Sequence, residues 1–154
     1  MKILHVCLAA FYIDNYSYQE NLLPKYHKVN GHEVEIIASL QTFDNNGEPT
    51  YLHNESRYKN ENDIWVNRIK YLNDWNIIKK LRLYDDFSHI IERFKPDIIF
   101  IHGCQLSTLK PIIKYKLNNP NIKIYVDNHA DFSNSATNWL SLKVLHKKIW
   151  KRKA

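Results

Sequence analysis

Polar and titratable side chains follow two apolar segments that have the composition of buried β-strands. His102 comes directly after the apolar residues 98–101, which lie between Pro96-Asp97 and Gly103. An apolar run with these boundaries is typical of a central parallel strand covered on both faces. Ligands bind at the carboxyl ends of strands in open parallel sheets, so we expect one polar rim there. A second apolar run, residues 122–126, leads to further polar groups at that rim: Asp127, Asn128, His129 and Asp131.

Several kinds of chemistry fit such a rim. His102 could act on a bound substrate, although a histidine at a strand end is as often a hydrogen-bonded structural residue. The alternation of Asp127, His129 and Asp131 resembles an extended metal site, but loop ends rich in Asp and His are more often turn formers. We therefore predict no metal. Cys104 near His102 has the ingredients of a cysteine nucleophile, although nothing in the sequence indicates contact between them. The six histidines other than His102 and His129 show no constellation.

The elements that would position this rim alternate along the chain. The hydrophobic patterns predict strands over 2–9, 33–39, 64–69, 97–101 and 123–126. They predict helices over 18–30, 78–94, 106–117 and 135–150, and a flexible or hairpin-bearing loop over 40–63. Alternating strands and helices imply right-handed crossovers and a mostly parallel sheet. We predict a Rossmann-like three-layer α/β/α sandwich that occupies residues 1–154 as a single domain.

The common strand order three-two-one-four-five would place a crevice between the first and fourth strands. The loop after strand one then supplies Tyr12 and Asp14 as candidate substrate-binding residues, beside His102, Asp127 and His129. That first loop contains no glycine, and the whole chain has only three glycines. Because only glycine lets a backbone close on phosphate, dinucleotide and P-loop sites are disfavoured, and we predict no cofactor.

The positive charge of the chain is concentrated at its C-terminus. The net charge is +6, and the last twelve residues hold six of the Lys and Arg side chains and no acid. The predicted last helix could lie on an anionic membrane through Trp139, Trp150 and its lysines. We favour the alternative, in which its apolar face packs on the sheet. The tail lacks the aromatic-interleaved basic surface of a nucleic-acid site, so we predict no nucleic-acid partner.

The cysteines and the apolar stretches bear on the compartment. Two cysteines, Cys7 and Cys104, are too few for a disulfide scaffold or a zinc site, which favours a reducing compartment. No apolar stretch approaches the roughly 18 residues that span a bilayer. The apolar N-terminal run is interrupted by His5 and indicates a first strand rather than a signal peptide. We predict a cytoplasmic protein. Its basic helix adds a second option, which is peripheral contact with the inner face of the membrane.

Three segments together resemble the N-terminal half of family 4 retaining glycosyltransferases. Residues 1–39, with the motif Gly31-His32-Glu33-Val34, look like the opening of that family. Residues 96–103 and 123–131 resemble its fourth and fifth strands, in the expected order. The resemblance covers essentially the whole chain. It implies a two-domain glycosyltransferase-B protein whose N-terminal Rossmann-like domain binds the acceptor and whose C-terminal domain holds the nucleotide sugar.

The resemblance also implies roles for particular residues. His102 corresponds to the active-site histidine near the transferred sugar, and Asp127 and His129 lie on the cleft wall. Two features depart from the family pattern. The glycine pair that many members carry after strand one is missing, and the chain stops at Ala154, before any donor-binding domain.

We therefore expect the acceptor-binding half of an enzyme that transfers a sugar, with retention, from a nucleotide sugar to a glycan or lipid-linked acceptor. This half would be inactive alone, because its nucleotide-sugar partner would bind to the absent C-terminal domain. The family implies no metal, since basic side chains manage the leaving diphosphate. The alternative is a non-catalytic module that binds a sugar or a phosphate-bearing ligand and carries a basic membrane-surface helix.

Overall fold

A six-stranded sheet forms the centre of the molecule. The structure is a computed structural model, and it describes residues 1–128. The sheet consists of β1 (Lys2–Cys7), β2 (Glu33–Ser39), β5 (Ser56–Lys59), β6 (Trp65–Ile69), β7 (Ile98–Ile101) and β8 (Lys123–Val126). A separate hairpin is formed by β3 (Gln41–Phe43) and β4 (Pro49–Tyr51). The described helices are α1 (Gln19–Val29), α2 (Asn76–Lys80), α3 (Ser88–Phe94) and α4 (Lys110–Asn118).

The strand order is β5-β6-β2-β1-β7-β8, and the five strands from β6 to β8 are parallel. This confirms the predicted order three-two-one-four-five and the Rossmann-like α/β class. In the shared register, Val6 of β1 lies opposite Ile37 of β2 and Ile101 of β7. The carboxyl ends of these strands consequently lie along one edge of the sheet.

The two faces of β1 meet different helices. Leu4 and Val6 belong to a buried cluster that also contains Ile91 of α3 and Ile112 of α4. Successive side chains of a strand point to opposite faces, so His5 points to the other face. There it contacts His27 of α1. The helices therefore cover both faces of the sheet, as the predicted three-layer arrangement requires.

The segment predicted as a loop over 40–63 contains more regular structure than the sequence indicated. It holds the β3–β4 hairpin, in which Gly47 adopts a φ of +80° and donates its N–H to the Asp44 carbonyl. It also holds β5, which pairs antiparallel with β6 and extends the sheet at that edge. The hairpin was one of the two alternatives expected for this loop; β5 was not foreseen.

The prediction of one helix over 78–94 is wrong. The structure has two short helices, α2 and α3, separated by a segment in which Arg82 adopts a φ of +52°. The side chains of Arg82 and Tyr84 donate hydrogen bonds to backbone carbonyls of the loop after β1. Tyr84 also forms an antiparallel bridge with Tyr71. These long-range contacts outweigh the local helical periodicity.

Other boundaries shift by a few residues. The first strand ends at Cys7 rather than at residue 9, and the helix predicted from residue 106 begins at Lys110, with Pro111 in its first turn. The predicted helix over 135–150 lies outside the described residues. Within residues 1–128, no helix is both long and apolar enough to cross a bilayer.

Candidate functional site

His102 lies at the carboxyl end of β7. Its backbone N–H continues the parallel pairing with β1 by donating to the Val6 carbonyl at 3.0 Å. Its side chain is fully buried, at 0% exposure. The ring packs at 4.9 Å from Phe100, and its Nδ1 lies 3.4 Å from Oδ2 of Asp127. The structure therefore brings together two of the residues predicted for the site, at the ends of two neighbouring strands.

Asp127 connects several elements at this edge. Its Oδ1 accepts a 2.7 Å hydrogen bond from the Gly103 N–H, and its Oδ2 accepts one from the Gln19 amide at 3.1 Å. Gln19 is the first residue of α1, so this one carboxylate joins the ends of β7 and β8 to the start of that helix. The Asp127 side chain keeps 14% exposure. It is thus more accessible to a ligand than the buried His102.

Gly103 allows the turn after β7 to lie close to the loop after β1. Its φ is +85°, a backbone conformation that is strained for other residues. A Cβ placed there would lie 3.2 Å from the Cβ of Ala9. The turn after β7 therefore packs tightly against the loop after β1, which keeps the Gly103 N–H within reach of Asp127.

His102 is the inner end of a chain of three imidazoles. Its Nε2 lies 2.9 Å from Nδ1 of His5, and Nε2 of His5 lies 3.0 Å from Nδ1 of His27. His5 is fully buried in β1, whereas His27 is half-buried on α1. The prediction that the other histidines show no constellation is wrong. The available signal was His5 itself, a polar residue inside an apolar strand, because a buried polar group requires a partner.

The environment favours the neutral form of His5 and of His27. Burial lowers the pKa of His5 well below its ordinary value, and the neighbouring rings of His102 and His27 lower it further. Burial, followed by the nearby His32, lowers the pKa of His27. A carboxylate only accepts hydrogen bonds, so Asp127 favours the proton on Nδ1 of His102. With that tautomer, Nδ1 of His5 donates to Nε2 of His102, and Nδ1 of His27 donates to Nε2 of His5.

The structure places Tyr12 and Asp14 in a different cluster, around the buried Arg68. The guanidinium donates to the Tyr12 carbonyl and to Oδ2 of Asp14, both at 2.9 Å. Tyr58 donates its hydroxyl to the same Asp14 oxygen at 2.5 Å, and the Asn60 amide donates to the Tyr12 hydroxyl at 2.8 Å. Tyr12 is 1% exposed. In this structure these two residues hold the loop after β1 in place.

The loop after β1 is fixed through its carbonyl oxygens. Tyr84 donates to the Leu8 carbonyl at 2.8 Å, Arg82 donates to that of Ala9, and Arg68 donates to that of Tyr12. A phosphate-binding loop instead offers its N–H groups to the ligand. Side chains from distant segments thus give this loop its shape without glycine. Nothing in the local sequence identified these partners.

A cavity of about 330 Å³ opens beside this loop. It follows the carboxyl ends of β1, β2 and β6, and a wider cavity of about 630 Å³ shares three of its lining residues with it. The described residues that line the first cavity are Phe11, Gln41, Tyr51, Tyr71, Asn76, Lys79, Lys80 and Arg82. Sequence reasoning missed this cavity, because it placed Lys79, Lys80 and Arg82 within a continuous helix.

Within residues 1–128, no group of three or more His, Cys, Asp or Glu side chains has the geometry to hold a metal ion. Cys104 is a half-buried free thiol. His129 and Asp131 lie outside the described residues.

Comparison with known proteins gives little for this chain. No family model matches the sequence, and no curated protein matches it. Among solved structures, the chain is similar to a sucrose-phosphate synthase from Thermosynechococcus elongatus, with 11% sequence identity and a TM-score of 0.49. The match covers 91% of this chain and 36% of that one, so this chain spans about a third of that protein's length. At this level of likeness, the match carries no argument about function.

Proposed function

We propose that this chain is the acceptor-binding half of a retaining glycosyltransferase, which transfers a sugar from a nucleotide sugar to a glycan or lipid-linked acceptor. The observation that carries the proposal is the junction of His102 and Asp127. It lies at the carboxyl edge of the mostly parallel sheet, beside β1, where the strand order reverses. Ligands of such sheets bind at that switch point. The resemblance of residues 96–103 and 123–131 to the corresponding family segments supports the same interpretation.

His102 and Asp127 differ in burial, and this difference indicates different roles for the two residues. His102 has no exposed surface, whereas the Asp127 side chain is partly exposed, and a carboxylate accepts hydrogen bonds of the kind that a sugar hydroxyl donates. We therefore assign the contact with a sugar hydroxyl to Asp127. His102 becomes a positioning residue that orients the carboxylate, and the imidazoles of His5 and His27 hold His102 in turn.

The proposal assigns donor binding to a second domain. The nucleotide sugar would approach the carboxyl edge of this sheet from that domain, so that the acceptor hydroxyl lies near Asp127. Contact of the basic residues 143–154 with an anionic membrane would suit a lipid-linked acceptor. Those residues lie outside the described part of the chain, so this contact is proposed from sequence alone.

The proposal can be tested by NMR titration of the 154-residue chain with a panel of mono- and disaccharides and with UDP-glucose. We expect sugars to shift the amide signals of Gln19, Gly103 and Asp127, and UDP-glucose to leave them unchanged. The Asp127→Asn variant should weaken sugar binding by about tenfold, since hydrogen bonds to a charged group contribute about 1.5–3 kcal/mol. The matched control is Asp63→Asn, which changes an exposed carboxylate in the turn before β6.

Three outcomes would contradict the proposal. Binding of UDP-glucose without binding of any sugar would make this chain a donor-side domain. Equal sugar affinity of the Asp127→Asn variant and the unchanged chain would remove Asp127 from the site. If sugars bind but the polypeptide that also contains the donor half transfers none, the non-catalytic binding module becomes the better description.

A further inference from the structure

The cavity beside the loop after β1 carries a concentrated positive charge. Its charged lining residues are all basic: Lys79, Lys80 and Arg82. Its apolar surface consists largely of three aromatic rings, those of Phe11, Tyr51 and Tyr71. The cavity lies at the same carboxyl edge of the sheet as Asp127, but beyond β1, on the side of β2 and β6.

These charges have little compensation within the described residues. The Arg82 guanidinium donates to a neutral acceptor, the Ala9 carbonyl, and no described carboxylate lies within 4.0 Å of Arg82 or Lys80. Lys79 lies 3.8 Å from a carboxylate of Asp74, whose side chain is fully exposed. Because an exposed pair of this kind contributes little, the cavity keeps most of its positive charge.

The uncompensated positive charge is clearest at Arg82. Burial lowers the pKa of its guanidinium, which means that the charged form has lost hydration. The residue also adopts a positive φ, which is uncommon outside glycine. An anion in the cavity would compensate this partly buried charge. Arginine suits a phosphate group in particular, because its N–H groups form parallel hydrogen bonds to two oxygens.

The aromatic rings that line the cavity indicate which chemical group is attached to the anion. Phe11 and Tyr51 are 43% and 40% exposed, and Nζ of Lys79 lies 4.3 Å from the centroid of the Tyr51 ring. Tyr71 is fixed by stacking on Tyr84, with 4.6 Å between ring centroids. A sugar ring has an apolar C–H face that packs on such rings, while its hydroxyls reach polar groups at the rim.

We propose that this cavity binds a phosphate-bearing sugar, with the phosphate at Lys79, Lys80 and Arg82 and the sugar ring against Tyr51 and Phe11. The proposal rests on the proposed function, because it names the chemical class of the acceptor. A phosphate monoester carries about two negative charges at neutral pH, and it matches three cations better than the single charge of a carboxylate. A volume of about 330 Å³ lies within the range of small-molecule sites.

Two sources present the same phosphate chemistry: a soluble sugar phosphate and a lipid-linked sugar. Three large apolar side chains next to the cavity are exposed, namely Leu72 at 58%, Trp75 at 70% and Ile77 at 55%. Tryptophan beside lysines is typical of surfaces that contact a bilayer interface. The experiment below therefore has one arm for each source.

The first arm is calorimetric titration of the chain with glucose 6-phosphate, glucose, glucuronate and inorganic phosphate. We expect glucose 6-phosphate to bind about tenfold more tightly than each of the other three probes. Arg82→Gln should weaken its binding by about tenfold, and the exposed Lys80→Gln by about threefold. Lys114→Gln, an exposed lysine on α4, is the matched control and should bind as the unchanged chain does.

The second arm measures cosedimentation with phosphatidylcholine vesicles that contain or lack undecaprenyl phosphate. If the lipid-linked source applies, binding requires undecaprenyl phosphate, and it decreases in Lys80→Gln and in Trp75→Ser. The inference is overturned if neither probe binds, if glucose and glucose 6-phosphate bind equally, or if both Lys80→Gln and Arg82→Gln bind normally. Lys80 is exposed, and no hydrogen bond or ion pair joins its side chain to another residue of the described range 1–128. If Arg82→Gln fails to fold, normal binding by Lys80→Gln therefore overturns the inference by itself.

The inference and the proposed function fail in different ways. Transfer to a neutral glycan by the polypeptide that contains the donor half, at a rate unaffected by Lys80→Gln, would overturn the inference alone. Binding of glucose 6-phosphate that depends on Lys80, in a polypeptide that transfers no sugar, would overturn the proposed function alone.

Discussion

His5 lies in the middle of β1 without access to solvent, and both of its ring nitrogens contact other imidazoles. The folded chain keeps this ring neutral, because burial lowers the pKa of His5 well below its ordinary value of about 6.5. The unfolded chain protonates the same histidine as the pH falls through about 6.5. The unfolded state then binds more protons than the folded state, so acid favours unfolding.

We therefore expect the free energy of unfolding to decrease as the pH falls below about 6.5. One such group contributes up to about 1.4 kcal/mol per pH unit until the folded pKa is reached, and His27, whose pKa is also lowered, adds to the slope. Urea denaturation at a series of pH values measures this slope. His5→Gln should flatten it, whereas His89→Gln, an exposed histidine of α3, should not. An equal slope in all three proteins would show that the imidazole chain titrates freely.

Gly103 provides a second prediction at the level of one residue. Gly103→Ala combines the strain of a positive φ with a 3.2 Å contact to the Cβ of Ala9. We expect a loss of about 1–3 kcal/mol in the free energy of unfolding. Gly47→Ala is the matched control, because its φ is +80° but nothing lies within 4 Å of the added Cβ. Its loss should be smaller, and Ala9→Gly should partly restore the Gly103→Ala protein. Equal losses at the two glycines would exclude a role for the Ala9 contact.

At the scale of elements, side chains from β6 and from the segment between α2 and α3 fix the loop after β1. Arg68 makes the largest contribution to this anchoring. It donates through Nη1 to the Ser39 carbonyl at 3.0 Å and through Nε to the Tyr58 hydroxyl at 3.0 Å, in addition to its contacts with Tyr12 and Asp14. One guanidinium thus holds the ends of β1, β2 and β6 together.

Arg68→Lys tests this arrangement. A single ammonium group cannot reproduce hydrogen bonds that leave the guanidinium in several directions, and removal of one partner of a buried charge pair costs about 3–5 kcal/mol. Because lysine keeps the positive charge, we expect a smaller loss than this, about 2–4 kcal/mol in the free energy of unfolding. Arg57→Lys changes a half-exposed guanidinium on β5 and should cost less than about 1 kcal/mol. A loss at Arg68 as small as that at Arg57 would contradict the anchoring role.

The elements also show where sequence reasoning succeeds. Residues 98–101 are an apolar run between turn signals, and residues 34–38 are apolar except for Glu35, so the place of both segments in a parallel sheet follows from composition. The order of the parallel strands then follows from general rules of topology. The site residues His102 and Asp127 come to one edge for the same reason, because each directly follows a strand.

Other features depend on long-range contacts that a local pattern does not contain. The periodicity of residues 78–94 fits a helix, but Tyr84 and Arg82 bind carbonyls of Leu8 and Ala9, more than seventy positions earlier in the chain. Similarly, Tyr12 follows β1 as a crevice residue would, yet Arg68 and Asn60 draw it into the interior. The cationic cavity depends on the same break in the helix and was therefore invisible in the sequence.

At the scale of the whole molecule, charge is distributed unevenly. Without the last twelve residues, the chain would be formally neutral, so the net charge of +6 belongs to the C-terminus. A body without net charge attracts anionic surfaces at long range mainly through such a cationic segment. Each basic residue near an anionic membrane contributes about 1 kcal/mol to binding. Six such residues near an anionic membrane would suffice for a reversible attachment that depends on salt.

We expect the chain to cosediment with vesicles of phosphatidylcholine and phosphatidylglycerol at low ionic strength, and not with phosphatidylcholine alone. Replacement of the six C-terminal Lys and Arg by Gln should abolish this binding, since it removes the entire net charge. The matched control replaces the exposed lysines Lys25, Lys95, Lys114 and Lys123. Because the Debye length falls from about 10 Å at 0.1 M salt to about 3 Å at 1 M, high salt should release the chain. Binding that persists at 1 M salt would mean that apolar insertion, through exposed groups such as Trp75, holds the chain on the membrane instead of charge.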